Sequence, residues 1–283
     1  MNRRILEERI FLVLMIASVL VVMGSLVLIV VVIVANGAPS LSIEILTQTS
    51  EGKFYLGPGG GFLNAIVGSL LLSLPATGLA FLIGLSIALY LQKDFLKPRI
   101  SNFIRLCLDI LWGIPSVVYG VFCLTIMIAI GMTGGSLLFG IIALTLLEIP
   151  IITRSIDESI KMVPIGLKES AYSLGSTKFE MSIKVVRKQA MPGIIAGVLL
   201  GFGRGIGDAA SILLTVGDSN YFPSSIFDQT AALPTMILNL VSMPDQAVQN
   251  KAYAVAFILL IIVLSISILT RFLTKKSSKY IIK

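Results

Sequence analysis

The chain has 283 residues, 56% hydrophobic and 13% charged, with a net charge of +7 and a mean hydropathy of +0.97. A soluble domain is about a quarter charged, so this composition describes an integral membrane protein, its Lys and Arg setting orientation beside apolar spans rather than marking a nucleic-acid surface. With no histidine, His-based acid–base catalysis and His-ligated metal sites are excluded.

Residues 1–9 are polar and basic, and residues 10–35 are almost unbroken Leu, Val, Ile and Met. That run exceeds the 7–15 residues usual for a signal-peptide core and is long enough to cross a bilayer. It predicts a retained first transmembrane helix. Pro39, Pro58 and the triplet Gly59-Gly60-Gly61 make residues 36–61 a loop. Helix two is expected over about 62–92, with Pro75 a kink, and Gln92-Lys93-Asp94 mark its end. Helix three is expected over about 103–130, interrupted by Pro115, and Gly131, Gly134 and Gly135 form a tight turn. Helix four follows at about 136–154, then a polar segment at 155–190 and helix five at about 192–217. A long loop over 218–250 leads to helix six at about 251–273 and a basic tail.

The sum is an all-α integral membrane protein with six transmembrane helices, a single transmembrane domain over 1–283. Nineteen of the 22 Lys and Arg residues fall on one side of this six-span scheme, Lys53 and Lys251 on the other, and Arg204 within a span. Both termini are therefore expected in the cytoplasm. Cys107 and Cys123, on one helix, would lie about 24 Å apart and form no bridge. Within the outer loop, Leu233, Ile237 and Leu240 or Val241 recur at helical spacing. A short interfacial helix is preferred there, with a surface for an external partner as the alternative.

The segment between helices four and five is patterned rather than merely solvated. Pro164 can open a short helix, and Gly175 supplies a left-handed ending. Thr177 and Glu180 have the form of a capping box for the next helix, on which Phe179, Ile183 and Val186 share a face. The product is two short helices projecting into the cytoplasm.

In the span that follows, Gly193, Gly197, Gly201 and Gly205 recur every four residues, a face for close helix packing. Gly203 and Gly207 thin the helix further. Arg204 lies about twelve residues in, roughly 18 Å along the axis and near mid-membrane. An unpaired Arg at that depth opposes insertion by about 2.5–3.5 kcal/mol. Asp208 at i+4 offsets part of the charge, and Ser211 and Thr215 continue approximately that face. Two readings stand: a buried pair that fixes packing, or a guanidinium presented to a tetrahedral oxyanion. Arg105 and Asp109 are also i,i+4, at the cytoplasmic end of helix three, where a snorkelling interfacial pair suffices. Glu148, near the inner end of helix four, fits either a structural or a pathway role.

Glu169-Ser170-Ala171, three residues and then Gly175 resemble the EAA-x-x-x-G element of ABC importer permeases, which docks on the ATPase subunit. Where that element continues to Ile-x-Leu-Pro, this chain has Val185, Val186, Arg187 and Lys188, and Met191-Pro192-Gly193 lies a few residues on. The stretches GGGFLNAIVGSLLLSLPATGLAFLIGL, DILWGIPSVVYGVF, MVPIGLKESAYSLGSTKFE, GFGRGIGDAASILLT and PSSIFDQTAALPTMILNL are similar, in order, to phosphate-uptake permeases of the PstA type.

The resemblance implies a type I ABC importer permease fold in a prokaryotic cytoplasmic (inner) membrane. It implies a cytoplasmic coupling loop at 155–190 that uses Glu169, Ser170, Ala171, Gly175 and Phe179, and a substrate path through Arg204, Asp208, Ser211 and Thr215. In this family the acid four residues after the Arg is Glu; here it is Asp208, one methylene shorter. The implied function is a permease subunit of an ATP-driven phosphate importer that catalyses no covalent change and needs no cofactor or metal. No G-x-x-x-x-G-K-[ST] occurs, so ATP hydrolysis falls to a separate ATP-binding cassette ATPase dimer. A second, related permease chain, an extracytoplasmic phosphate-binding protein and membrane lipid complete the expected partners. A permease for another oxyanion, such as sulfate or molybdate, is the close alternative. A secondary transporter or channel is disfavoured by the absence of internal repeats.

Overall fold

The computed structural model describes residues 3–50 and 60–278. Lys53, Pro58, Gly59, Lys279 and Lys283, used above for the first loop and for charge asymmetry, lie outside the described residues.

Among the described residues, ten helices of eight or more residues carry the architecture: α1 (Arg3–Gly37), α2 (Leu63–Tyr90), α3 (Pro98–Gly113), α4 (Ser116–Ala129), α5 (Leu137–Lys161), α6 (Ile165–Ser173), α7 (Lys178–Gln189), α8 (Met191–Ile206), α9 (Leu233–Val241) and α10 (Gln246–Ser278). Among the described residues, α1, α2, α5 and α10 are each long and apolar enough to cross a membrane. The pairs α3–α4 and α7–α8 pass the same test only as bent units, giving six spans when each pair is one.

Small residues decide the packing. Ala76, Ala80, Gly84 and Ala88 line the buried face of α2, where it meets α5 closely: a Cβ on Gly84 would lie 2.9 Å from Thr153 Oγ1. The side chains of α1 are exposed from Glu7 to Ile29, as a helix facing hydrocarbon allows, because its backbone groups are satisfied internally. Its C-terminal end is held where Gly37 abuts the Tyr253 carbonyl of α10.

Helix three is not one span of constant direction. Pro115 has no amide proton and drives Ile114 into extended backbone (φ −71, ψ 130), so α3 and α4 meet at 92°. The Tyr119 hydroxyl donates to the Leu111 carbonyl at 2.7 Å, supplying a partner that the broken helix lost. Cys107 and Cys123 fall on opposite sides of this bend, and both are free thiols.

Helix four runs two turns past its expected end because its polar extension pairs with itself and with α3. Lys161 Nζ sits 2.9 Å from both Asp157 Oδ2 and Glu158 Oε1. Arg105 does not pair with Asp109: its Nε lies 2.8 Å from Asp157 Oδ2, while Asp109 receives Arg154 Nε at 2.7 Å. Both partners come from α5, which welds α3 to it instead of leaving a local pair on one helix.

The outer helix α9 is docked in the fold. Leu233, Met236 and Leu240 join Phe62, Ala65 and Val255 in one buried cluster, and the Leu233 amide donates to Ser69 Oγ at 2.8 Å. Leu238 and Val241 alone of its large side chains remain open.

Candidate functional site

The elbow between α5 and α8 forms as its local signals require. Gly175 has φ +81, its amide donates to the Tyr172 carbonyl at 2.9 Å, and the Ser176 amide donates to the Ala171 carbonyl at 3.1 Å. Those two bonds are the Schellman ending of α6. Thr177 Oγ1 accepts from the Glu180 amide at 3.2 Å, and Glu180 Oε2 accepts from the Thr177 amide at 3.2 Å, so the capping box is complete. The Lys184 ammonium beside it, then the Thr177 amide and hydroxyl, hold the Glu180 carboxyl at about 2.

One departure matters for the exposed surface. Residues Met181–Val186 wind as a π-helix, whose i→i+5 bonds rotate side chains away from α-helical register. Met181 and Val186 therefore point inward, into a cluster with Ile156, Ala171 and Ala190. Phe179, expected on the face of Ile183 and Val186, is instead 69% exposed. It shares the projecting elbow with the exposed Leu174 and Ile165. A bend of 73° then separates α7 from α8, at Ala190 before Met191-Pro192.

Gly175→Val tests this ending. Nothing crowds the glycine, so its cost is backbone alone, about 1–2 kcal/mol for an L-residue held left-handed. The variant is expected to insert normally and to exchange its α6 amides severalfold faster than the wild type, since the helix end frays. Gly175→Asn should exchange nearly as the wild type does, since Asn tolerates that backbone; unchanged exchange in the Val variant would refute the role of the turn.

Along α8 the glycine stripe meets α5 residue by residue. Gly193 abuts Ser159 and Gly205 abuts the Glu148 carboxyl; Cβ atoms on Gly197 and Gly201 would lie 2.6 Å from Ser155 Cβ and 2.5 Å from Ile152 Cγ1. Glu148 is fully buried, and neither of its oxygens has a hydrogen-bond partner among the described residues. Sequence reasoning singled it out but had no signal for its position on the stripe.

The helix then stops. α8 ends at Ile206 with Gly207 as its cap, so residues 208–217 do not continue the span as a helix. Arg204 stands in the last turn with its side chain 56% exposed, and its Nη2 lies 3.6 Å from Asp208 Oδ1. The other Asp208 oxygen accepts the Ser211 amide at 2.9 Å. Asp208 thus organises the segment that leaves the helix while loosely facing Arg204. Ser211 and Thr215 do not share Arg204's surface: both are fully buried, and Thr215 Oγ1 donates toward the Ser211 and Ile212 carbonyls. Irregular backbone at this depth must be covered by protein. Gly120 of α4 lies against the Ser211 carbonyl, and the Ser136 amide takes the Thr215 carbonyl at 2.7 Å.

Arg204 opens onto two clefts. One, of about 270 Å³, lies between α8, the α3–α4 bend and α5, walled by Trp112, Ile114, Leu147 and Ile151. The other, of about 470 Å³, lies between α8 and α10, with Ser267 and Thr270 as its polar wall. In each, the exposed guanidinium stands beside apolar side chains, Trp112 in the first and Leu199 in the second, with its planar fork able to meet an oxyanion bidentately.

An all-helical membrane domain with two bent spans and an elbow ending in a left-handed glycine has close counterparts among transport permeases. A family model of binding-protein-dependent transport system inner membrane components matches residues 80–279. The fold matches a bacterial alginate ABC transporter chain (TM-score 0.68, 13% identity, 99% of each chain). It also matches the MetNI methionine ABC transporter (TM-score 0.63, 19% identity, 76% of this chain and 95% of that one). In sequence, the chain is 33% identical over 270 residues to the phosphate transport system permease protein PstA of Yersinia pestis, covering 95% of this chain and 90% of that protein. It is 32% identical over 210 residues to PstA 1 of Mycobacterium tuberculosis strain H37Rv, covering 74% and 68%. The chain belongs to the inner membrane components of binding-protein-dependent transport systems, and within them to the PstA permease family. It is a multi-pass membrane protein.

Proposed function

We propose that this chain is a membrane-spanning subunit of an ATP-driven importer of inorganic phosphate. Its likeness to PstA permeases along nearly its whole length carries the reading, and the half-exposed Arg204 beside Asp208 supplies an oxyanion contact. Residues 155–190 form the coupling region within a single membrane domain. In this reading Glu169, Ser170, Ala171 and the Gly175 turn present α6 to an ATP-binding cassette ATPase dimer, with Phe179 beside them. A second, related permease closes the far wall of the path, and an extracytoplasmic phosphate-binding protein delivers the anion to the outer loops. Arg204 and Asp208 serve that path directly, while the buried Ser211 and Thr215 support its wall.

The test is uptake by vesicles that contain the full complex, with ATP inside and loaded binding protein outside. Labelled phosphate should accumulate, and excess sulfate or molybdate should not compete. Competition by sulfate equal to that by unlabelled phosphate would move the assignment to another oxyanion.

Orientation is tested separately. Met162, 77% exposed at the start of the elbow, and Ser224, exposed in the outer loop, offer label sites once Cys107 and Cys123 are replaced. An impermeant thiol reagent on intact cells should label Ser224→Cys and leave Met162→Cys unlabelled until lysis. Labelling of both in intact cells would refute a cytoplasmic elbow.

A further inference from the structure

The coupling helix α6 is gripped at two points by one carboxylate from elsewhere in the chain. The Tyr172 hydroxyl donates to Asp94 Oδ1 at 2.8 Å, and Lys168 Nζ lies 3.7 Å from Asp94 Oδ2. Lys168 and Tyr172 are one turn apart on one face of α6, and the Lys168 and Asp94 side chains are only 18% and 21% exposed. Burial and the Asp94 carboxylate together push the Tyr172 phenol up to about 12. Beside this grip, Ala171 is seated in the apolar cluster with Ala88 and Leu89 from the end of α2.

Asp94 belongs to the turn between α2 and α3, which is itself stiff. The Phe95 and Leu96 amides both donate to the Gln92 carbonyl, at 3.0 and 3.1 Å, and the Tyr90 and Phe95 rings lie 5.9 Å apart. From this turn the contacts continue without a gap. The Leu91 carbonyl accepts from Ser101 Oγ at 2.7 Å and from Arg105 Nη2 at 3.2 Å. Arg105 forks onto Asp157 at 2.8 and 3.0 Å, and Gln92 Nε2 reaches the same carboxylate at 3.4 Å.

We infer that Asp94 is a positioning residue that braces the coupling helix to the α2–α3 turn, so that displacement of α6 is delivered through Arg105–Asp157 to α3 and α5. This rests on the reading of α6 as the ATPase-docking element. A single carboxylate bonded at two points on α6 moves with the helix as a body, whereas apolar contacts alone let it slide. Arg105 and Asp157 then join the driven turn to the helices that flank the Arg204 cleft.

The test uses the complete complex with Asp94→Ala, Tyr172→Phe and the double variant. Amide exchange over Ile165–Ser173 should quicken about tenfold in Asp94→Ala, a local opening of α6 that involves no substrate. In vesicles, Asp94→Ala should keep its ATPase subunit and its ATP hydrolysis, yet move at least about fivefold less phosphate per ATP, the size expected of a coupled network contact. Tyr172→Phe should lose less, and adding it to Asp94→Ala should lose nothing more, because both act through one contact. Unchanged exchange over α6, a wild-type ratio of phosphate to ATP in Asp94→Ala, or additive losses would each overturn the brace. Wild-type vesicles that hydrolyse ATP and import no phosphate would count against the substrate assignment, and the exchange measurement would still decide the brace.

Discussion

Gly205→Ala is expected to lower the yield of folded, assembled permease severalfold, although alanine is the better helix former. A Cβ at this position falls on the Glu148 carboxyl of α5, with Cδ and Cγ of the same side chain next nearest, and Glu148 is fully buried. Overpacking a tight interface costs about 1–3 kcal/mol, whereas replacing a glycine in a helix returns at most about 0.5–1 kcal/mol, and Gly205 lies in the last turn of α8. The clash therefore decides the sign. Gly203→Ala is the matched control: it sits two residues away in the same helix with nothing within 4 Å of its Cβ. It should match or slightly exceed the wild type in thermal stability in detergent. Adding Glu148→Ala to Gly205→Ala removes the obstructing carboxyl and should restore the yield. A Gly205→Ala complex as stable as the wild type would mean that α5 and α8 are not held at this separation.

Arg204→Lys is expected to assemble with its partners at near-normal yield and to lose phosphate uptake by about tenfold or more. The loss corresponds to a bidentate, charge-assisted hydrogen bond of roughly 1.5–3 kcal/mol. Lysine keeps the charge beside Asp208, and the present pair is already loose at 3.6 Å, so packing survives the exchange. Arg204→Gln should also lose uptake, and its assembly should be poorer. It strands a carboxylate at a depth where an uncompensated charge costs about 2.5–3.5 kcal/mol. Arg204→Gln with Asp208→Asn removes both charges and leaves an oxygen at position 208 for the Ser211 amide. That double variant should recover assembly without recovering transport. Substantial uptake by it would make Arg204 a packing residue.

These two sites show what a linear sequence discloses and what it withholds. Gly175, the Thr177–Glu180 box and the four-residue glycine stripe were legible because each signal is completed within a few residues of itself. Arg105 was misassigned to Asp109 for the same reason. An i,i+4 acid is visible in the string, whereas Asp157, its true partner 52 residues away, is brought near only by the packing of α3 on α5. The break after Arg204 was hidden in a different manner. Gly203, Gly205 and Gly207 read equally well as a slender continuous helix. What ends α8 is Asp208 turning to cap Ser211, with Gly120 and Ser136 covering the backbone that follows. Phe179 emerged on the outer surface because six π-helical residues follow it, and π winding has no sequence period that would announce it.

The interruption of α8 also bears on how firmly any anion can stay. A helix terminates there in its carbonyl end, equivalent to about half a negative charge, and Asp208 adds a full one close by. On the proposed path, the Arg204 cation would meet an oxyanion with part of its field already offset by Asp208 and the helix end. Such a station attracts weakly and lets go readily, which suits a conduit: a species must enter each stop and also leave it. Had the helix run on unbroken with Arg204 unopposed, the same residue would make a trap, and capture is work better left to a soluble receptor outside the membrane.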